Sequence, residues 1–250
     1  MPTFKHDNLD FHFVDEGEGD PIVLVHGFAS NLDSNWVFPN WVSTLRNAGR
    51  RVIALDNRGH GQSSKPHDPK AYGLPIMGAD VLALLDHVEV ERADYLGYSM
   101  GGRIGMLLTL QHPVRIRSAI LGGIGASLIT GPGRGDHIVE ALEAPSAAAV
   151  SDPIARSFRV FAEATKSDLA ALAACMRSLG YAFPPEDLAK CRVPVLIVRG
   201  SDDDIAGPAR EIAGMIPGAE YVETPGRNHM SAVGDRVFKE AALAFLRRRP

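Results

Sequence analysis

The segment Gly97-Tyr98-Ser99-Met100-Gly101-Gly102 constrains this chain more than any other. It sets a serine between glycines where the apolar run 93–96 gives way to a helical pattern. A serine in a tight strand-to-helix turn has strained backbone angles, so the residues two before and two after it must lack side chains, or their Cβ atoms would collide with the turn. Gly97 and Gly101 meet that requirement. Such a turn lifts the Ser99 hydroxyl above the end of a sheet, and the helix that follows aims unpaired amides and the positive end of its dipole at any oxyanion formed there. With 25 glycines among 250 residues, a glycine-rich turn without chemistry is the competing reading. Other segments have to decide between the two.

A serine nucleophile needs a base to take its proton and a carboxylate to orient that base. Residues 193–198 are apolar and rich in β-branched side chains, as in a buried strand, and they lead into Gly200-Ser201-Asp202-Asp203-Asp204-Ile205-Ala206. Residues 221–224 read as a last short strand before the loop Pro225-Gly226-Arg227-Asn228-His229-Met230, which carries one histidine. The order Ser, Asp, His is that of hydrolases bearing such an elbow. Three consecutive aspartates leave the choice of acid open at this point.

Two further motifs follow predicted strands: His26-Gly27-Phe28 after 21–25, and Asp56-Asn57-Arg58-Gly59-His60-Gly61-Gln62-Ser63 after 51–55. Taken with the serine, acid and histidine segments, they make nearly the whole chain resemble the alpha/beta-hydrolase superfamily, in its serine-esterase branch. The first is similar to that family's oxyanion loop and the second to its D-x-R-G-H-G-x-S signature. The resemblance implies an α/β fold: a mostly parallel, doubly wound sheet with an inserted helical lid. It also implies catalysis by Ser99 as nucleophile, His229 as base and Asp203 as acid, with the backbone amides of Phe28 and Met100 forming the oxyanion hole. Asp203 is preferred because members similar in this segment place the acid three residues after a glycine and two before an aliphatic residue, here Gly200 and Ile205. Asp202 and Asp204 then read as solvated loop carboxylates. His26 and His60 are expected to brace the oxyanion loop, and Asp56 and Arg58 to scaffold theirs. His6, His12, His67, His87, His112 and His137 have no motif around them and are assigned to surface or helix-end positions.

Strands and helices alternate along the chain, which implies a mainly parallel sheet. Residues 4–16 read as an edge hairpin or one long strand. Pro39 is expected to open a helix that Gly49 closes, and Pro75 to open another, with Met77, Val81, Leu84, Leu85 and Val88 as its apolar stripe. The elbow helix, 102–111, is apolar on most sides and stops before Pro113. Val237, Phe238, Ala241, Ala242 and Phe245 give the C-terminal helix its stripe. Between the strand at 116–121 and the one at Val193 the rhythm breaks. The core is therefore assigned to 1–122 and 188–250, and a helical lid to 123–187. Within the lid, Gly131-Pro132-Gly133-Arg134-Gly135 reads as flexible, and 140–150 and 168–177 as helical. Leu128, Ile129, Phe158, Phe161, Leu172, Met176 and Phe183 are either lid core or pocket lining.

Hydrophobic residues make up 45% of the chain, charged residues 22%, and the net charge is −4, which gives no electrostatic reason to expect nucleic acid. No stretch approaches the ~20 apolar residues of a membrane span, and Met1-Pro2-Thr3-Phe4-Lys5-His6-Asp7 lacks the apolar core of a secretory signal. A cytoplasmic location without stable membrane association is expected, as a monomer or small homo-oligomer. Arg247-Arg248-Arg249 reads as a helix end complementing its dipole. Cys175 and Cys191 lack CxxC spacing and read as reduced, buried thiols. No metal, nucleotide or flavin motif is visible, so no cofactor is expected. The expected activity is that of a carboxylesterase on small-molecule esters with short to medium acyl chains. The alternatives are an enol-lactonase or C–C bond hydrolase, an eliminating synthase resembling the menaquinone-pathway enzyme, and a non-hydrolytic ligand receptor. The synthase is suggested by the string from Gly97 to Arg103, although Arg103 equally reads as a surface arginine on the elbow helix.

Overall fold

In a computed structural model, eight strands form one sheet in the order β1-β2-β4-β3-β5-β6-β7-β8. The structure describes residues 2–131 and 135–248. Met1, Arg249 and the centre of the expected flexible stretch, Pro132-Gly133-Arg134, lie outside the described residues. The hairpin reading of 4–16 holds. β1 (Thr3–His6) and β2 (Leu9–Glu16) pair antiparallel across Asp7 and Asn8, whose φ angles of 52° and 60° suit the two-residue turn that asparagine and aspartate favour. β2 also pairs antiparallel with β4 (Arg50–Leu55). All further pairings are parallel, through β3 (Asp20–Val25), β5 (Ala93–Tyr98), β6 (Ile116–Gly122), β7 (Val195–Gly200) and β8 (Glu220–Thr224).

Alternation along β3 divides the core in two. Ile22 and Leu24 join Trp36, Trp41, Leu45, Phe238 and Phe245 on one face, where α1 (Trp41–Asn47) and α10 (Arg236–Arg247) pack. Val23 and Val25 join Met77, Val81, Leu84, Leu85 and Ile104 on the other, under α2 (Leu74–His87) and α3 (Met100–Gln111). Helices on both faces leave the central strands no solvated side, which is why they read as continuous apolar runs. α1 begins after Asn40 rather than at Pro39, and Gly49 follows its end with φ 77°. Among the described residues no helix is long and apolar enough to cross a membrane, and both cysteines are free and buried.

Between β6 and β7 lie α4 (Ser127–Thr130), α5 (Gly135–Glu143), α6 (Pro153–Ala164), α7 (Leu169–Arg177) and α8 (Pro185–Leu188); α9 (Arg210–Met215) follows β7. The helix expected over 140–150 is interrupted. α5 stops at Glu143, before Pro145, and a single 3-10 turn occupies Ala147–Ala149. A new helix, α6, then starts with Pro153 in its first turn and with the Asp152 side chain accepting from the Ala155 amide at 2.9 Å. Arg159 of α6 fastens it to the end of α5 by donating to the carbonyls of Ala141, Leu142 and Ala144 at 2.8, 3.0 and 2.8 Å.

Arg58, 1% exposed, locks the loop after β4 onto α2. Its Nε and Nη2 each donate at 2.7 Å to the Asp80 carboxylate, and Nη1 donates to the Ala71 carbonyl at 2.6 Å. Removing one member of such a pair strands the other charge out of water, whereas removing both does not. Arg58→Met and Asp80→Leu are each expected to lose about 3–5 kcal/mol of stability, and Arg58→Met/Asp80→Leu much less than their sum. Urea denaturation of the three variants checks this. Additive losses in the double variant would show that burial of unpaired charge is not the cause.

Candidate active site

Ser99 stands between β5 and α3 with φ 53° and ψ −111°, a conformation few non-glycine residues adopt. The flanking glycines are a steric necessity. A Cβ on Gly97 would lie 2.3 Å from the Gly101 carbonyl oxygen, and one on Gly101 would lie 1.9 Å from the Val25 carbonyl oxygen. The turn is held by Ser99 N–H donating to the Gly122 carbonyl at 2.8 Å, and by the buried Tyr95 hydroxyl donating to the Gly101 carbonyl at 2.6 Å. Glycine at the elbow thus lets the end of β3, the start of α3 and the end of β6 converge on one residue.

The structure brings Ser99, His229 and Asp203 together. His229 Nε2 accepts from Ser99 Oγ at 2.9 Å, while its Nδ1 faces Asp203 Oδ2 and Oδ1 at 2.8 and 3.0 Å. With Nδ1 donating to the carboxylate, Nε2 is left unprotonated toward the serine. Two loops create this meeting. After β7, Ser201 N–H and Asp202 N–H donate to the Thr224 and Arg227 carbonyls, each at 3.0 Å, zipping the aspartate loop to the histidine loop. Asn228 Oδ1 accepts from the amides of Met230 and Ser231 at 3.1 and 3.0 Å and tightens the turn around His229. The Tyr98 hydroxyl donates to the His229 carbonyl at 2.6 Å, a support the sequence reading missed because a tyrosine ending a buried strand reads as core.

Of the three aspartates, only Asp203 is buried; Asp202 and Asp204 are exposed. Burial alone would push the Asp203 carboxyl up. The bond from His229, the Ala206 amide at 2.8 Å and the nearby Arg199 outweigh it and hold the group below the usual carboxylate range.

Phe28 and Met100 line the same cavity as Ser99. Met100 opens α3, Phe28 follows β3, and neither amide has a hydrogen-bond acceptor among the described residues. Under Phe28, His26 is fully buried: Nδ1 donates to the Gly27 carbonyl at 2.8 Å and Nε2 accepts from the Asn57 amide at 3.0 Å. His60 packs edge-on to both Phe28 and His26, with Nδ1 donating to the Arg58 carbonyl at 2.9 Å and Nε2 buried without a partner. Asp56 accepts from the amides of Leu32 and Gln62 at 2.7 and 2.8 Å and from His12 Nδ1 at 2.9 Å. His12 is thereby corrected: it is 3% exposed and belongs to this loop network, not to the surface. Its position in a short strand of alternating residues gave no signal of that partner.

A cavity of about 320 Å³ opens over Ser99 and His229, floored by Phe28, Met100 and Ile124 and roofed by Ile138, Ile154, Phe158, Met176 and Leu179. A second, of about 90 Å³, reaches Ser99 from the other side past Tyr98, Phe161 and Met230. Of the seven candidate lid residues, Phe158 and Met176 line the larger space and Phe161 the smaller; Leu128, Leu172 and Phe183 are packed in the core and Ile129 rests against it. Arg103 is not on the surface; it is 8% exposed and lines the larger cavity. The lid and the loop before α1 meet where the Thr165 hydroxyl donates to the Ala29 carbonyl at 3.0 Å.

Residues 20–234 match the alpha/beta hydrolase fold family model. The chain is 30% identical over 260 residues to the dihydrolipoyllysine-residue acetyltransferase component of the acetoin cleaving system of Pseudomonas putida, covering 95% of this chain and 66% of that relative. It therefore spans about two thirds of that protein's length. Among solved structures, an enol-lactonase from Burkholderia xenovorans LB400 superposes with a TM-score of 0.85 at 25% identity, covering 98% of this chain and 100% of that one. A hydrolase from Pseudomonas aeruginosa PA01 superposes with a TM-score of 0.80 at 27% identity, covering 98% and 97%.

Burial drives the His60 pKa down to about 3, with the neighbouring His26 adding to the shift, and burial lowers His26 as well. Both rings are neutral when folded but titrate normally when unfolded. Below the ordinary histidine pKa the unfolded chain therefore binds more protons, and stability falls as pH drops, by up to about 1.4 kcal/mol per pH unit for each ring. His60→Asn keeps a donor for the Arg58 carbonyl and removes the titration. Its urea midpoint is expected to fall less steeply than wild type between about pH 7 and pH 5. Parallel curves would show that His60 carries no such penalty.

Proposed function

The chain belongs to the alpha/beta hydrolase fold family, and from that premise we propose that it hydrolyses carboxylic esters of short to medium acyl chain through an acyl-enzyme on Ser99. The observation that carries this reading is the unbroken chain of contacts from Ser99 Oγ through His229 to Asp203, at 2.9 and 2.8 Å, at the mouth of a largely apolar cavity. Ser99 Oγ attacks the ester carbonyl as His229 Nε2 takes its proton, and the ring then returns that proton to the leaving alcohol. Asp203 holds the ring in the tautomer that leaves Nε2 free, and it stabilises the imidazolium formed in the transition state. The Phe28 and Met100 amides receive the tetrahedral oxyanion. Water, deprotonated by the same ring, then releases the acid. Residues 123–187 act as the lid that excludes solvent and shapes the acyl and alcohol sites.

A second reading, an enol-lactonase, is favoured by the likeness to the Burkholderia enzyme over the whole chain. An enol-lactone is a cyclic ester, so the same groups serve, and only the shape of the cavity separates the two.

Ser99→Ala is expected to lower kcat by at least ~10³-fold with the fold intact, and a serine-directed phosphonate to label Ser99 alone. Ester turnover near the wild-type rate in a clean preparation would overturn the assignment. Asp203→Asn is expected to cost far more than Asp202→Asn or Asp204→Asn, because an amide can donate to the ring and select the wrong tautomer. Equal losses at the three positions would mean that the loop was disturbed instead.

The volume of the larger cavity, about 320 Å³, sets an upper limit on chain length. Across a series of 4-nitrophenyl esters, kcat/KM is expected to peak at or below roughly eight carbons, since pockets of this size bury only small ligands. A peak at much longer chains, or a jump in rate on emulsified substrate, would show instead a lid that opens onto lipid.

A further inference from the structure

Four arginines of this chain are buried: Arg50, Arg58, Arg103 and Arg159, at 8, 1, 8 and 6% exposure. Three of them have a carboxylate against the guanidinium: Arg50 with Asp94 at 2.8 Å, Arg58 with Asp80 at 2.7 Å and Arg159 with Glu163 at 2.7 Å. Arg103 has none among the described residues. Its Nη1 donates to the Ser127 carbonyl at 2.7 Å and its Nη2 to the Tyr181 carbonyl, while its Nε is buried with no partner among the described residues. A guanidinium removed from water without an opposing charge is costly, so the missing partner calls for an explanation.

The position of Arg103 supplies one. Its backbone N–H donates to the Ser99 carbonyl at 3.0 Å, which puts it one helical turn beyond the serine on the elbow helix, and its side chain lines the larger cavity beside Ile124, Met176 and Leu179. Two backbone carbonyls, one in α4 and one after α7, fix the plane of the guanidinium. Donors remain for a ligand, since a guanidinium carries more N–H groups than these two bonds use. The other ionisable groups lining the cavity are His229 and the exposed Asp204. Burial lowers the Arg103 pKa to about 10 with no charged neighbour contributing, so the group stays cationic at neutral pH.

We infer that Arg103 is a carboxylate-binding subsite of the cavity over Ser99, and that the substrate is an ester carrying a second, ionised carboxylate on its acyl or alcohol part. The inference rests on the hydrolase reading of Ser99 for its chemistry, though not for its binding. A planar guanidinium matches a carboxylate with paired hydrogen bonds, and in an apolar cavity such a bond is stronger than in water. It would select an acidic ester over a neutral one of the same length.

The test compares esters that differ only in that charge: mono-4-nitrophenyl glutarate against 4-nitrophenyl pentanoate for the acyl part, and 4-acetoxybenzoate against phenyl acetate for the alcohol part. Wild type is expected to prefer the anionic member of at least one pair by ~10-fold or more in kcat/KM. Arg103→Met is expected to lower that ratio by a similar factor, Arg103→Gln to do the same while keeping a donor for the lid carbonyls, and Arg103→Lys to keep part of it. Wild type showing no preference in either pair overturns the inference. So do variants that lose activity on both members equally, the result of a purely structural pin. Calorimetry of the anionic esters on Ser99→Ala separates the two levels of the reading. Arg103-dependent binding without turnover in wild type keeps the subsite and removes the hydrolase assignment. Turnover of neutral esters with no Arg103-dependent binding does the reverse.

Discussion

Everything at this site rests on how closely three stretches of backbone approach one another around Ser99. The carbonyl of Val25 would lie within bonding distance of a Cβ on Gly101, and the Gly101 carbonyl would collide with one on Gly97. A serine at φ 53° is held against its own preference by the sheet it ends and the helix it starts. The strain is offset locally: Ser99 N–H finds the Gly122 carbonyl and Tyr95 reaches across to Gly101. Because the anchor points are strand ends of a parallel sheet, the positions of Ser99 and of the Phe28 and Met100 amides are set by main chain, with few rotamers to lose.

The loop network beneath Phe28 follows from the same need for fixed amides. Asp56 collects two amides and the His12 ring, while the His26 ring spans from the Gly27 carbonyl to the Asn57 amide, so the β3 and β4 loops are tied by buried polar bonds. Burial would raise the Asp56 carboxyl, but the bond from His12 and the two amides hold it below its usual range. Each such group is tolerable only when satisfied, and the orphaned His60 Nε2 is tolerated because that ring stays neutral. Rigidity of Phe28 is thereby obtained with histidines that take no part in the proton relay.

Legibility from sequence divides along this line. Positions ruled by backbone geometry or by period could be read: the elbow, the strands, and the α2 and α10 stripes; the preference for Asp203 over its neighbours came from the family resemblance in that segment. His12 could not be read, because alternation along β2 does not say whether a polar side chain will meet a buried carboxylate from a loop far along the chain. The lid was legible only as an interruption. Its helices are short, and the run expected over 140–150 hid a proline stop and a fresh cap at Asp152. Of seven apolar candidates there, three line a cavity and four pack in or against the core, and composition does not separate the two fates.

Arg103 shows why specificity is the hardest layer to read. On the helical pattern of α3 it follows a turn of small residues and could face water as well as the lid; its environment is decided by Ser127 and Tyr181, whose carbonyls arrive from segments with no periodic signal. Ser99, Asp203 and His229 stand at or after the ends of sheet strands, whereas Arg103 stands where residues 123–187 meet the elbow helix. Ser127 joins the two regions: its carbonyl accepts from Arg103 at 2.7 Å, and its amide donates at 3.1 Å to the carbonyl of Ala206, whose own amide holds the Asp203 carboxylate at 2.8 Å.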